Sequence, residues 1–260
     1  MKKNVFRFAI LFMSMVTIFT ASCNKGDADA QSAEDAARGS YIMADAFAMA
    51  NSGSTGKSLK DFTDTHCFEV VAFETGEGFF MNFNNCVDEY GVTYNGTIKV
   101  SASVQAWTDG SAGQITIEFI DYTNGNEAIS GKITAQVTTG LLGISFSIGA
   151  ENLKITYADG KQTYLEEADL TFSISLTTIL EGFVISGHSR GVNRNGVSYS
   201  SISEDIKYQL CPWPKVGTIN IEIDGEKDIV VNFDQDGKGA CDRIILVSQK
   251  RHDDVTVTID

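Results

Sequence analysis

The chain has 260 residues and a formal net charge of −14, from 34 acidic and 20 basic residues. Three of the basic residues, Lys2, Lys3 and Arg7, fall in the first seven positions, so the remainder carries 17 basic residues and about −17. That balance excludes sequence-independent nucleic-acid binding, which needs basic surface to replace counterions, and docking on anionic lipid by charge.

The N-terminus has the layout of a secretory signal over residues 1–22. Basic residues precede Phe8–Phe19, which is apolar except for Ser14 and Thr17, and the small triplet Thr20-Ala21-Ser22 stands ahead of Cys23. The apolar run is about a dozen residues, short of the roughly 20 that a spanning helix needs. The triplet and cysteine resemble a lipobox, which implies cleavage before Cys23 and acylation of its thiol by palmitate-type chains. Cleavage near Ala21, with Cys23 a spare thiol, is the alternative. Two or three acyl chains suffice for stable anchoring where one does not. Residues 23–31 are polar and small and read as a tether. By resemblance to known lipoproteins, Asn24 after the cysteine implies sorting to the outer membrane. The acidic tether is similar to export tags of Bacteroidetes-type lipoproteins, which implies display on the periplasmic side or at the cell surface.

Residues 32–66 read as a helix and a linker. Ala36, Met43, Phe47 and Ala50 share a helical face within Ser32–Asn51, and Ser32 with Asp35 predicts the N-terminal cap. This helix is expected to cover the sheet as a lid or plug.

From Cys67 the period changes to two. Thr97–Val104, Ile115–Phe119, Ile219–Ile223 and Val255–Ile259 each alternate a dry with a wet side, as antiparallel strands do. Turn dipeptides separate the runs at Asn95-Gly96, Asp109-Gly110, Asn124-Gly125, Asp159-Gly160, Asn195-Gly196, Asp224-Gly225 and Asp236-Gly237. The expected fold is all-β: an antiparallel hairpin meander forming a two-layer sandwich or open barrel over residues 67–260, with one N-terminal helix.

Beyond Cys23, the cysteines Cys67, Cys86, Cys211 and Cys241 are even in number, and disulfides are expected in an exported chain, with three connectivities to choose from. Cys67 with Cys86 and Cys211 with Cys241 are favoured because each pair flanks a similar stretch, Met81-Asn82-Phe83-Asn84 and Val231-Asn232-Phe233-Asp234. Gly91–Gly96 also resembles Gly191–Gly196, and together these suggest two weakly repeated halves.

Phe83-Asn84-Asn85-Cys86 with the following Tyr94-Asn95-Gly96-Thr97-Ile98, and the closing block Cys211-Pro212-Trp213-Pro214-Lys215-Val216-Gly217-Thr218-Ile219 with Gly239-Ala240-Cys241-Asp242, carry a wider likeness. Through them the chain resembles a group of uncharacterised Bacteroidetes-type outer-membrane lipoproteins. The likeness covers most of residues 67–260 and implies fold and location, with no reaction attached.

Several motifs mimic catalytic or metal sites. Gly187-His188-Ser189-Arg190-Gly191 has the spacing of a serine-hydrolase elbow, but an alternating strand follows instead of a helix, leaving a hydrolase using Ser189 a remote alternative. Gly56-Lys57-Ser58 ends like a phosphate-binding loop but lacks the first glycine and a preceding strand. Asn232, Asp234 and Asp236 open like a calcium loop without its closing Glu, and a plain acidic turn is the stronger reading. His66, His188 and His252 show no metal spacing. Trp107, Trp213, Tyr90, Tyr94, Tyr199 and Tyr208 could stack on sugar, but aromatics in strands ordinarily pack. The expectation is a lipid-anchored envelope protein without cofactor or enzymatic activity. Its partners would be the membrane, through the lipid, and an envelope protein or a small apolar ligand.

Overall fold

The computed structural model describes residues 29–55, 67–74, 77–103, 113–140, 143–175, 183–208, 213–223 and 226–259. Helix α1 (Ala30–Thr55) comes first. Among the described residues thirteen strands follow: β1 (Phe68–Ala72), β2 (Gly78–Val87), β3 (Thr93–Ser103), β4 (Gln114–Asn124), β5 (Glu127–Gly140), β6 (Gly143–Thr156) and β7 (Gln162–Ser175), then β8 (Phe183–Val192), β9 (Ser198–Tyr208), β10 (Val216–Ile223), β11 (Glu226–Asn232), β12 (Ile244–Gln249) and β13 (Val255–Thr258). Every strand pairs antiparallel with its neighbour in sequence, giving one open sheet in the order β1 to β13. This is the expected meander with one N-terminal helix, in the form of a single continuous sheet.

A twisted sheet of more than about ten strands must curl, split or flatten. Here bulges bend it. In β2, β4, β6 and β9 the inward residues change parity once, from Phe83 to Cys86, Phe119 to Tyr122, Ala150 to Leu153 and Ser203 to Ile206. Each change spans two consecutive exposed residues, the second being Asn85, Asp121, Asn152 or Asp205 with φ between 48 and 51°. Asn and Asp tolerate this left-handed conformation best among non-glycine residues. An extra residue at such a point bends the strand and increases its twist. Glycine on the adjacent strand makes room: a Cβ on Gly96 would lie 2.1 Å from the Asp121 carbonyl oxygen, and one on Gly131 would lie 2.4 Å from that of Asn152. Asn95-Gly96, expected as a turn, therefore sits inside β3, where glycine serves the bulge opposite it.

The curled sheet encloses α1. From Asp35 to Ala46 every helix residue is buried, as expected of a helix surrounded by protein rather than lying on a surface. One core joins Ala33, Tyr41, Ile42 and Met43 to inward residues such as Ile98, Ile117, Ile133, Ile148, Leu170, Ile185, Ile219 and Val247. The cap differs from the expected one. Asp29 accepts the Ser32 backbone N–H at 3.0 Å and the Ser32 hydroxyl at 2.7 Å, so the helix starts two residues before Ser32 and runs past Asn51 to Thr55. The end of the expected tether, residues 29–31, belongs to this cap and first turn.

Two hairpin turns share one design. The Asp88 carboxylate accepts N–H bonds from Tyr90 and Val92, and the Asn193 side chain does the same from Asn195 and Val197. The Gly91–Gly96 and Gly191–Gly196 stretches overlap these turns in different registers, the first running from the turn into β3 and the second leaving β8 through the turn. The outer face carries cross-strand ion pairs, Lys99–Glu118, Lys132–Glu151 and Arg190–Glu167 at 3.1, 2.8 and 2.6 Å. A lipid-facing barrel needs an apolar outer band instead. Among the described residues, no helix is long and apolar enough to cross a membrane.

Candidate functional site

Glu34, Asp35, Arg38 and Asp45 occupy one stripe of α1, spaced three, four, seven and eleven residues apart as a single helical face requires. In isolation such a stripe would face water. Here it meets the hairpin ends of the sheet. Arg38 Nε donates to Glu127 Oε2 at 2.6 Å, at the start of β5, and the two side chains are only 4% and 11% exposed. Asp35 accepts the Tyr157 hydroxyl at 2.7 Å and the Arg194 backbone N–H at 2.8 Å, while the Arg194 guanidinium bridges Glu34 and Asp35 and lies over the Tyr157 ring. Asn193 donates to the Ser32 hydroxyl, and the Asn124 amide to Asp45. The stripe thus clamps the helix to the turns after β6 and β8 and to the β4–β5 hairpin.

Burial governs the electrostatics of the clamp. It pushes Asp35 above the ordinary carboxylate range despite Arg194 and Tyr157, and Glu127 upward despite Arg38. It also raises the phenols of Tyr41, Tyr94, Tyr122 and Tyr157, so these remain neutral donors at physiological pH. Every carboxylate of the cluster faces a cation, an amide or a phenol. The arrangement holds a helix in place; it does not pair a nucleophile with a base.

The residues singled out from sequence lie elsewhere. Ser189 sits inside β8 with its side chain buried, its hydroxyl sharing a 2.6 Å hydrogen bond with that of Ser201 on β9, and the strand runs on into a hairpin turn instead of a helix. His188 faces outward beside Asp169 and Ile202. Asn232 and Asp234 accept backbone N–H bonds from Asp234 and Gly239, and Asp236 holds Lys238. These three residues shape the loop after β11. Among the described residues there is no cluster of three or more metal-ligating acid, His or Cys groups. Trp213 stacks on Tyr41 at 4.3 Å beneath Arg243, and Tyr94, Tyr199 and Tyr208 are buried, so these aromatics pack; Tyr90 is exposed on its turn.

Cys67 and Cys86 form a disulfide, Cα atoms 5.1 Å apart, tying the start of β1 to the end of β2. Cys241 is also disulfide-bonded. Cys23, Gly56-Lys57-Ser58, His66, Trp107 and Cys211 lie outside the described residues. An open depression of about 290 Å³ on the sheet exterior is lined by Asn152, Tyr164, Glu166 and Val192.

Sequence reasoning missed Arg38, Glu127 and Arg194. The available signal was a helical run whose charged stripe lacks the Lys and Glu excess of a solvated face, combined with an Ala-rich remainder that packs closely on all sides. Comparison with protein-family models, with curated proteins and with solved structures finds no match for this chain.

Proposed function

We propose that this chain is a lipid-anchored protein of the cell envelope, attached through Cys23 to the outer membrane, with a non-enzymatic binding or structural role. One observation carries the reading: the helix buried in the sheet begins close in sequence to Cys23. Cys23 precedes the Asp29 cap by six residues, a reach of at most about 20 Å. From there the helix is buried inside the sheet, so a lipid on Cys23 would hold the whole domain close to the bilayer. The outward ion pairs suit a domain standing in water beside the membrane. A carrier of apolar ligand would need the space that α1 fills.

Expression of the Cys23→Ala chain tests the anchor. The wild type is expected in the membrane fraction and the variant in the soluble fraction, and protease added to intact cells then separates surface from periplasmic display. A Cys23→Ala chain that still sediments with membranes contradicts the proposal.

A further inference from the structure

Two bulges meet on the outer face in the middle of the sheet. Lys154 and Glu151 of β6 pair with Ser130 and Lys132 of β5, so β6 carries one residue more than its neighbour there. Leu165 and Glu167 of β7 pair with the consecutive Gly191 and Arg190 of β8, so β7 also carries one more. The added residues are Asn152, at φ 51°, and Glu166. Both fall between the cross-strand pairs Glu151–Glu167 and Leu153–Leu165, so they lie opposite each other, and both are exposed. A bulge re-aims a side chain, and bulges are over-represented beside functional sites.

Asn152 and Glu166 line the depression of about 290 Å³ together with Tyr164 and Val192. The last two are directly paired outward residues of β7 and β8, half-buried, and the Tyr164 hydroxyl donates to the Gln162 side chain, which fixes the ring in place. The other acids around this point are neutralised across the strands, Glu151 by Lys132 and Glu167 by Arg190. Among the described residues the Glu166 carboxylate and the Asn152 amide have no such partner. Lys154 pairs with Tyr164 from the β6 side, so one base adjoins the one acid of the depression. The strands and turns that carry it, residues 143–175 and 183–208, are described throughout.

We propose that this depression is a carbohydrate site that holds one neutral sugar unit. Ligand sites combine apolar and aromatic walls with a few convergent polar groups, and this set matches a pyranose. The C–H face of the sugar lies against the Tyr164 ring and Val192. Its hydroxyls donate to the Glu166 carboxylate, which accepts from two at once, and exchange bonds with the Asn152 amide, which both donates and accepts. Glu166 and Lys154 offset each other in charge, which favours a neutral, hydroxyl-rich ligand over an anion or a cation. The depression is open, so the rest of a longer glycan stays in solvent. This deepens the binding role proposed above and rests on it. Because the anchor is tested by fractionation and the sugar site by binding in solution, either can fail alone.

The test titrates the purified, isotope-labelled full chain with free glucose, galactose, mannose, rhamnose and N-acetylglucosamine, read by amide chemical shifts. At least one is expected to bind with a millimolar Kd and to shift the amides of Asn152, Tyr164, Glu166 and Val192. Molar sodium chloride should leave that binding in place, since no ion pair forms. Tyr164→Ala should weaken it at least tenfold and Glu166→Ala severalfold, whereas Lys99→Ala, elsewhere on the outer face, should change nothing. Both weakened variants should keep the urea midpoint within the small range of exposed-residue substitutions, which separates lost binding from lost folding. No binding of any of the five sugars, shifts confined to other residues, or affinity indifferent to Tyr164→Ala would overturn the proposal. So would salt-sensitive binding of methylammonium at these residues without binding of sugar, which would assign the depression to a cationic ligand.

Discussion

Arg38–Glu127 and Lys132–Glu151 join opposite charges at similar distances, 2.5 and 2.8 Å, in very different surroundings. The first lies inside the curled sheet and the second on its outer face, with side chains 43% and 65% exposed. In water a pair gains little over its hydrated ions and is screened by salt within about 8 Å. Inside, each ion has lost its hydration, so the pair is worth little as a unit but losing one partner is costly. The inner pairs therefore fix where the helix sits, and the outer ones keep the exterior wet.

The largest expected effect follows from breaking the inner pair. Arg38→Ala leaves the Glu127 carboxylate buried alone and should lower stability by about 3–5 kcal/mol, read from the urea midpoint. Replacing both partners, Arg38→Met with Glu127→Leu, should restore most of that loss. A single variant as stable as the wild type would show that the helix does not sit where this pair places it.

Asp35 sharpens the comparison through pH. Its folded-state pKa is raised above the unfolded value of about 4. Between those values the folded chain holds a proton that the unfolded chain releases, so this contribution is full below about pH 4 and is lost as pH rises through the folded value. Urea midpoints of the wild type relative to Asp35→Asn should fall from pH 4 upward; a flat or rising difference contradicts the burial argument.

Gly39 offers a smaller gain. A Cβ there would meet only a Leu165 methyl at 4.0 Å, so Gly39→Ala should add about 0.5–1 kcal/mol through helix propensity. Lys132→Ala on the outer face should leave the midpoint in place at physiological salt.

The strands were legible in the sequence wherever alternation ran unbroken, as in Ile117-Glu118-Phe119 and Ile219-Asn220-Ile221. Bulges were not, because an Asp or Asn between apolar residues reads as a turn or a wet position. Only the parity change from Phe119 to Tyr122, or from Ser203 to Ile206, marks it. The clamp was hidden for a different reason. Helical spacing places Glu34, Asp35, Arg38 and Asp45 on one side but says nothing about what lies against them, and their partners Glu127, Tyr157 and Arg194 are 89 to 160 residues away. The cap shifted to Asp29 because a side chain that bonds both the N–H and the hydroxyl of Ser32 satisfies more of the helix terminus than Ser32 could alone.

The central structural claim is that α1 is part of the core and not a lid over a cavity. Native-state hydrogen exchange of the Asp35–Ala46 amides tests it most directly. The account predicts that they exchange only with global unfolding, together with inner strands such as β5 and β6. Exchange of the helix orders of magnitude faster, with the sheet still protected, would contradict it and would return the interior to a ligand.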